Sequence, residues 1–159
     1  WQFPEKLIPL VILKALRKES IPLYGDGLNV RDWLYVEDHI DALLLAATQG
    51  EIGRRYCVGG YGEKTNKDVV LSICKCLDIL KPDNKKHSRL ITLVKDRPGH
   101  DKRYAINSTR IKKELGWKPK HNFNDAIYNT TKWYLENINR CEKVQLKSNY
   151  KCTRMGIKE

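Results

Sequence analysis

No stretch of this sequence is long and apolar enough to cross a bilayer. The longest apolar run, residues 7–13, contains Pro9 and falls far short of the ~20 residues that a spanning helix needs, so no membrane partner is expected. No charged segment leads into an apolar one at the amino end, and the first residue is Trp1 rather than Met. Neither a signal peptide nor an intact natural N-terminus is therefore expected. The cysteines, Cys57, Cys74, Cys76, Cys141 and Cys152, form no Cys-x-x-Cys pair. Their spacing suits neither zinc nor a disulfide framework and fits a reducing, cytoplasmic setting. Acid is the scarcer charge: 19 Asp and Glu stand against 30 Lys and Arg, a formal net charge of +11. Such a chain draws acidic partners, whether a sugar nucleotide, a nucleic acid or an anionic membrane, and charge alone does not choose among them.

What is present is an ordinary globular mixture, 41% hydrophobic and 31% charged over 159 residues, enough for one modest core. Residues 4–17 put Leu7, Leu10, Val11 and Leu16 on one face and predict an amphipathic helix. Pro4 suits its first turn, whereas Pro9 predicts a kink or a later start, because proline removes a backbone donor. Residues 21–24 predict a strand entering the turn Gly25-Asp26-Gly27, and residues 30–36 a second strand. Glu37 and Asp38 open a helix with Ile40, Leu43, Leu44 and Ala47 at helical spacing, ended by Gly50. A strand is predicted over 55–58. Thr65 or Asn66 then caps a helix that offers Val69, Val70, Ile73, Leu77 and Leu80 to a core and stops at Pro82. Residues 81–89 read as a lysine-rich loop. Strands are predicted over 90–94 and 104–106, a helix from the cap Ser108 through Leu115 with Gly116 at its left-handed end, and a last helix over 124–138. From 139 the chain is basic and poorly periodic and reads as a loosely packed tail. Strands alternating with helices give an α/β fold, with too few strands for a complete doubly wound sheet.

Residues suited to a sugar nucleotide are available. Arg31 and Arg97 are fork-shaped donors for phosphate oxygens, and Lys6 adds a point charge. Tyr24 can lie against a base, and Asn66 and His100 can donate and accept, as hydroxyls and phosphates require. Each also has an ordinary structural role. Arg31 can pair with the adjacent Asp32, Tyr24 can be core, Asn66 can cap its helix, and His100 can be an exposed loop residue after Pro98-Gly99.

The order of the motifs goes further. Phe3-Pro4-Glu5-Lys6-Leu7-Ile8-Pro9, followed by Tyr24-Gly25-Asp26-Gly27-Leu28-Asn29-Val30-Arg31-Asp32-Trp33-Leu34-Tyr35-Val36-Glu37-Asp38-His39, resembles the middle of extended short-chain dehydrogenase/reductases that act on nucleotide sugars. Gly59-Gly60, Glu63-Lys64-Thr65-Asn66, Asp96-Arg97-Pro98-Gly99-His100-Asp101-Lys102-Arg103-Tyr104-Ala105-Ile106 and Leu115-Gly116-Trp117 narrow the resemblance to dTDP-glucose 4,6-dehydratases. His100 discriminates, because UDP-glucose dehydratases differ after the Arg-Pro pair. The resemblance runs over residues 2–138 in unbroken order, with departures at Cys57, Gly62 and Asn107. It implies that Lys6, Leu7, Pro22, Tyr24, Arg31, Asn66, Arg97 and His100 contact a dTDP-sugar. In that reading Arg31 and Arg97 hold the pyrophosphate, with Lys6, Leu7, Pro22 and Tyr24 near the thymidine. Asn66 and His100 then lie near the phosphates or sugar.

The same resemblance implies a partial fold, the C-terminal part of an extended short-chain dehydrogenase/reductase of Rossmann type. Residues 1–138 form its nucleotide-sugar-binding part, with about 30–60 contributing to the Rossmann sheet of the parent, and 139–159 form a basic tail. That tail keeps only Tyr150 and Thr153-Arg154-Met155-Gly156 in common with one family ending. The parent enzymes use NAD to oxidise the sugar at C4, eliminate water across C5 and C6, and return the hydride to C6. The glycine-rich turn, the Tyr-x-x-x-Lys pair and the acid/base carboxylates all precede the point where this chain starts. Gly25-x-Gly27 and Gly60-x-Gly62 lack a third glycine, and Tyr128 with Lys132 matches no family catalytic position. No catalytic or NAD-binding residue is therefore expected here, and the chain alone is expected to be inactive. The parent is expected to be a homodimer. With partner surfaces missing, Tyr35, Leu44 and Val58 are expected to be exposed and to favour self-association. Two alternatives stand: a relative acting on a UDP- or GDP-sugar, and a small basic nucleic-acid-binding protein. The second is disfavoured because the basic residues are dispersed and no nucleic-acid fingerprint appears.

Overall fold

The computed structural model describes residues 2–148. Helix α1, Leu7–Leu16, begins later than the predicted residue 4, which resolves the problem of Pro9: as its third residue, Pro9 sits where no intrahelical donor is needed. Pro9, Leu10, Val11, Ile12, Leu13 and Ala15 are all buried, so α1 is a core helix rather than a surface one. It ends through Lys18, whose backbone is left-handed at φ 57°, with the Glu19 N–H donating to the Lys14 carbonyl at 2.9 Å. The chain then enters strand β1, Ile21–Tyr24, whose Ile21 and Leu23 point inward while Pro22 and Tyr24 share the outer face. Its parallel partner is β4, Ile91–Val94, the last strand among the described residues, in the register Ile21 to Ile91 and Tyr24 to Val94.

Between them lie β2, Val30–Asp32; α2, Val36–Gln49; β3, Glu63–Thr65; and α3, Asn66–Leu80. Thr65 starts α3 through a capping box: its hydroxyl accepts from the Asp68 N–H at 3.0 Å while the Asp68 carboxylate accepts from the Thr65 N–H at 3.3 Å. Val69, Val70, Ile73 and Leu77 are fully buried, and α3 packs on α1 and on α5, Phe123–Glu136. After α3 the polar loop holds a short 3₁₀ helix, His87–Leu90, fastened to α3 where His87 N–H and Nδ1 meet the Asp78 carboxylate at 2.9 and 2.6 Å. A smaller cluster joins Ala42 of α2 to Ile111 of α4, Thr109–Leu115, and to Trp117. Gly116 ends α4 at φ +69°, the left-handed position expected of it.

The departures from the predicted elements have local causes. The second strand stops at Asp32 rather than residue 36, because the Asp32 carboxylate accepts from the Gly60 and Gly62 N–H groups, each at 3.0 Å, and turns the chain. That contact aligns 63–65 as β3, antiparallel to β2, a pairing the polar Glu63-Lys64-Thr65 did not suggest. Residues 55–58 form no strand; the Arg55 carbonyl accepts instead from the Arg110 side chain at 3.2 Å. The predicted strand 104–106 does not form; one bridge, between Val30 and Arg103, lies just before it. The tail needs the largest correction: Ile138–Ser148 is a helix, α6, packed on α5, with Cys141 and Gln145 buried and Arg17 Nη2 donating to Gln145 Oε1 at 2.7 Å. Tyr150, Cys152 and residues 153–156 lie outside the described residues.

Of the surfaces expected to be bare, Leu44 is 60% exposed, while Tyr35 and Val58 are half-buried, Tyr35 against the His121 ring and Val58 in the smaller cluster. On α2 only Asp38 and Ala42 are buried; Val36, Ile40, Leu43 and Leu44 are all exposed. Among the described residues no helix is long and apolar enough to cross a membrane, and no group of His, Cys, Asp or Glu could hold a metal ion.

Candidate functional site

The carboxyl ends of the two parallel strands, β1 and β4, open onto the loops that carry most of the predicted contacts, the usual location for ligands in α/β sheets. Past Tyr24, the Gly25 N–H donates to the Val94 carbonyl at 2.9 Å, so the 25–29 loop runs beside the Asp96 turn. Gly25 has φ +59°, and a Cβ there would meet Asp96 Oδ2 at 3.1 Å, a close approach that glycine permits. The loop is sewn to the start of α3, with the Lys67 N–H on the Gly27 carbonyl at 3.0 Å and the Asn66 N–H on the Asn29 carbonyl at 2.9 Å. The segment after the turn lies along β2: the Val30 N–H donates to Lys102 at 2.8 Å and the Tyr104 N–H to Val30 at 3.0 Å. These bonds join the end of β1 at Tyr24, Arg31 of β2, the start of α3 at Asn66 and the segment that carries Arg97 and His100 into one connected network.

Arg31 is not paired with Asp32. Its Nη1 donates to the Val30 carbonyl at 2.6 Å and its Nη2 to the Asp101 carbonyl at 2.9 Å, while the Asp32 carboxylate is occupied by Gly60 and Gly62. Among the described residues neither the Arg31 nor the Arg97 guanidinium forms an ion pair, so both charges remain available to an anion. Both act on one group, the Tyr104 phenol. The hydrogen bond it gives to Asp101 raises its pKa, helped by burial and by the Asp101 charge, against the downward pull of Arg31 and Arg97.

His100 is not the exposed loop residue that its turn suggested. Its side chain is only 6% exposed, with Nδ1 2.7 Å from Asp96 Oδ1, and that bond is the main cause holding the Asp96 carboxyl below its usual range. An ionised carboxylate can only accept, so Nδ1 carries the proton; Nε2 accepts when the ring is neutral and donates when it is charged. The cap of α3 is Thr65, which releases the Asn66 side chain from that duty. Pro22 and Tyr24 share the half-exposed face of β1.

Lys6 and Leu7 stand apart from this network. Lys6 is the N-cap of α1, its ammonium 3.1 Å from Glu5, and Leu7 packs on the main core. They reach the loops only through the packing of α1 against β1. The structure also has a cavity of about 710 Å³ between α5 and the segment after β2, walled by Trp33, Tyr35, Tyr61, Phe123 and Trp133. None of the predicted contacts lines it, and the Trp33 indole N–H is buried with no acceptor among the described residues. Sequence reasoning missed Tyr104, which it placed in a strand, and Asp101, to which it gave no role beyond its place in the motif. Their signal was the three-residue spacing that lets the phenol reach the carboxylate.

Residues 1–130 match the family described as GDP-mannose 4,6 dehydratase. The dTDP-glucose 4,6-dehydratase of Shigella flexneri is 53% identical over 145 residues, 91% of this chain and 40% of that protein. A solved dTDP-glucose 4,6-dehydratase from Bacillus anthracis, in complex with NAD, superposes with a TM-score of 0.81 at 43% identity, covering 91% of this chain and 43% of that one. Another from Streptomyces venezuelae, with NAD and TYD bound, gives 0.79 at 38% identity, covering 91% and 42%. The chain thus spans about two fifths of the length of the relatives it matches. It belongs to the nucleotide-sugar 4,6-dehydratase family, similar to the dTDP-glucose 4,6-dehydratases, and carries part of their α/β Rossmann-type fold.

Proposed function

We propose that this chain holds the nucleoside diphosphate of a dTDP-sugar, with Arg31 and Arg97 on the pyrophosphate. In this reading Lys6, Leu7, Pro22 and Tyr24 lie toward the thymidine, and Asn66 and His100 toward the phosphates or sugar. The observation that carries it is that Arg31, free of ion pairs among the described residues, is held on the Val30 and Asp101 carbonyls, so that it lies against the same 96–104 segment that carries Arg97. The whole enzyme of which this region is a part converts dTDP-glucose to dTDP-4-keto-6-deoxyglucose with NAD, in the cytoplasm and as a homodimer. This region contributes binding and no chemistry of its own. Tyr128 packs on the main core and Lys132 lies 3.9 Å from Glu136, an arrangement that supports an ordinary structural role for the pair.

The glycines at 59–62 and 25–27 do not suit the pyrophosphate of NAD. A Cβ at Gly60 would collide with the Trp33 carbonyl, at Gly62 it would meet the same oxygen at 2.7 Å, and at Gly59 it would meet Asp32 Oδ2 at 2.6 Å. These glycines admit neighbouring backbone and side chain rather than a pyrophosphate. The loop at Gly25 and Gly27 leads from strand to strand and not into a helix.

Competition among thymidine, uridine and guanosine diphosphates for the chain, followed by calorimetry, tests the base. Thymidine diphosphate is expected to bind most tightly. Preference for the guanosine compound would favour a GDP-sugar, a reading that the description of the matched family keeps in play. Stronger binding to single-stranded DNA with a steep loss on adding salt would instead mark a nucleic-acid protein.

A further inference from the structure

We propose that Tyr104 is a positioning residue for Arg31, holding its guanidinium with the phosphate-binding edge outward. The inference rests on the reading that Arg31 binds a diphosphate. It deepens that reading by naming the group that presents the charge.

Tyr104 is 53% exposed and belongs to neither hydrophobic cluster, so core packing does not account for its ring. The ring lies under Arg31, with the guanidinium carbon 4.6 Å from its centroid. The backbone holds both partners together, because the Val30 carbonyl accepts from the Tyr104 N–H at 3.0 Å and from Arg31 Nη1 at 2.6 Å. With Nη2 on the Asp101 carbonyl at 2.9 Å, the fork is fixed at two corners and covered on one face. A guanidinium has five N–H donors. Two are committed to carbonyls, leaving Nε and one hydrogen on each Nη, enough for a bidentate grip on phosphate.

The hydroxyl has a second task. It donates to the Asp101 carboxylate, whose own main chain already touches Arg31. Released from that bond, the carboxylate is placed to compete with phosphate for the same guanidinium. The ring sets the orientation of Arg31, and the hydroxyl keeps a rival anion away from it.

The test is a double-mutant cycle on the full 159-residue chain, with thymidine diphosphate as probe and calorimetry as readout. Y104L is expected to weaken binding by roughly three- to tenfold, the scale of a partly exposed cation–π contact. Y104F, which keeps the ring, should lose less, and Y104W should restore most of the affinity. In an R31Q background, Y104L should have no further effect. Without ligand, the Arg31 Nε–H resonance, assigned by its loss in R31Q, should be sharp in the parent chain and broadened in Y104L but not in Y104F. Far-UV circular dichroism of each variant should match the parent, since Tyr104 lies outside the core. If R31Q leaves affinity unchanged, the diphosphate reading fails and this inference with it. If R31Q weakens binding while Y104L does not, or if the two losses simply multiply, the positioning role is overturned and the diphosphate reading stands.

Discussion

Asp38 illustrates how single residues organise this structure. It is 1% exposed, and its carboxylate accepts from the Lys120 N–H at 3.0 Å, the His121 N–H at 3.1 Å and His121 Nδ1 at 3.0 Å, fastening α2 to the loop before α5. Burial pushes its carboxyl up, but those donors outweigh burial and hold it below the ordinary value of 3.8. Asp78, bonded to His87, is likewise lowered against burial. Both contributions are therefore complete above the unfolded-state value and are lost as pH falls through the lower folded-state values. Thermal melts should show stability declining below about pH 4, and D38A should flatten part of that decline. D38A also orphans buried donors and should cost about 3 kcal/mol, lowering the melting temperature by roughly 6–12 °C. At the same scale, burial pushes the Cys74 thiol up to about 12 and raises Cys76 and Cys141, whereas Cys57 is exposed. Ellman's reagent should modify Cys57 quickly in the native chain and those three only after denaturation, and in a C152S background C57S should remove the fast signal.

Among the elements, α3 carries both the core and one edge of the site. T65A removes its cap and should cost about 1 kcal/mol in denaturant melts, while also loosening the start of the helix where Asn66 sits. Elements written in apolar periodicity were legible in advance: α1 with the late start that Pro9 calls for, β1 by alternation, α3 by its buried ladder and α4 by Gly116. Those held by polar contacts were not. β3 exists because Asp32 gathers the N–H groups of Gly60 and Gly62, and α6 docks through the Arg17–Gln145 bond together with only Ile138 and Cys141 on the main core, too short an apolar stripe to read in advance. In the candidate site, motif order picked out Arg31, Arg97 and His100. It did not show that Arg31 turns to carbonyls rather than to Asp32, because that choice depends on where residues 60, 62 and 101 fold back.

For the whole molecule, the unevenness of burial matters most. α1, β1, α3 and α5 enclose a closed core, while α2 leaves Ile40, Leu43 and Leu44 at 49%, 55% and 60% exposure on its outer side. Contiguous apolar surface of this kind favours association. Sedimentation velocity should show concentration-dependent self-association of the chain, and L43E/L44E should shift it toward the monomer without lowering its melting temperature. The high positive charge adds long-range attraction to any polyphosphate, which salt screens, so specificity must come from the directed guanidiniums rather than from net charge. The most direct measurement is therefore calorimetric titration of the chain with thymidine diphosphate at physiological salt, comparing the parent with R31Q and R97Q. Each substitution should weaken binding by roughly 10- to 100-fold, the range expected for a lost charge-assisted hydrogen bond. Equal affinity in all three proteins would mean that the two arginines do not share one diphosphate, contradicting the account.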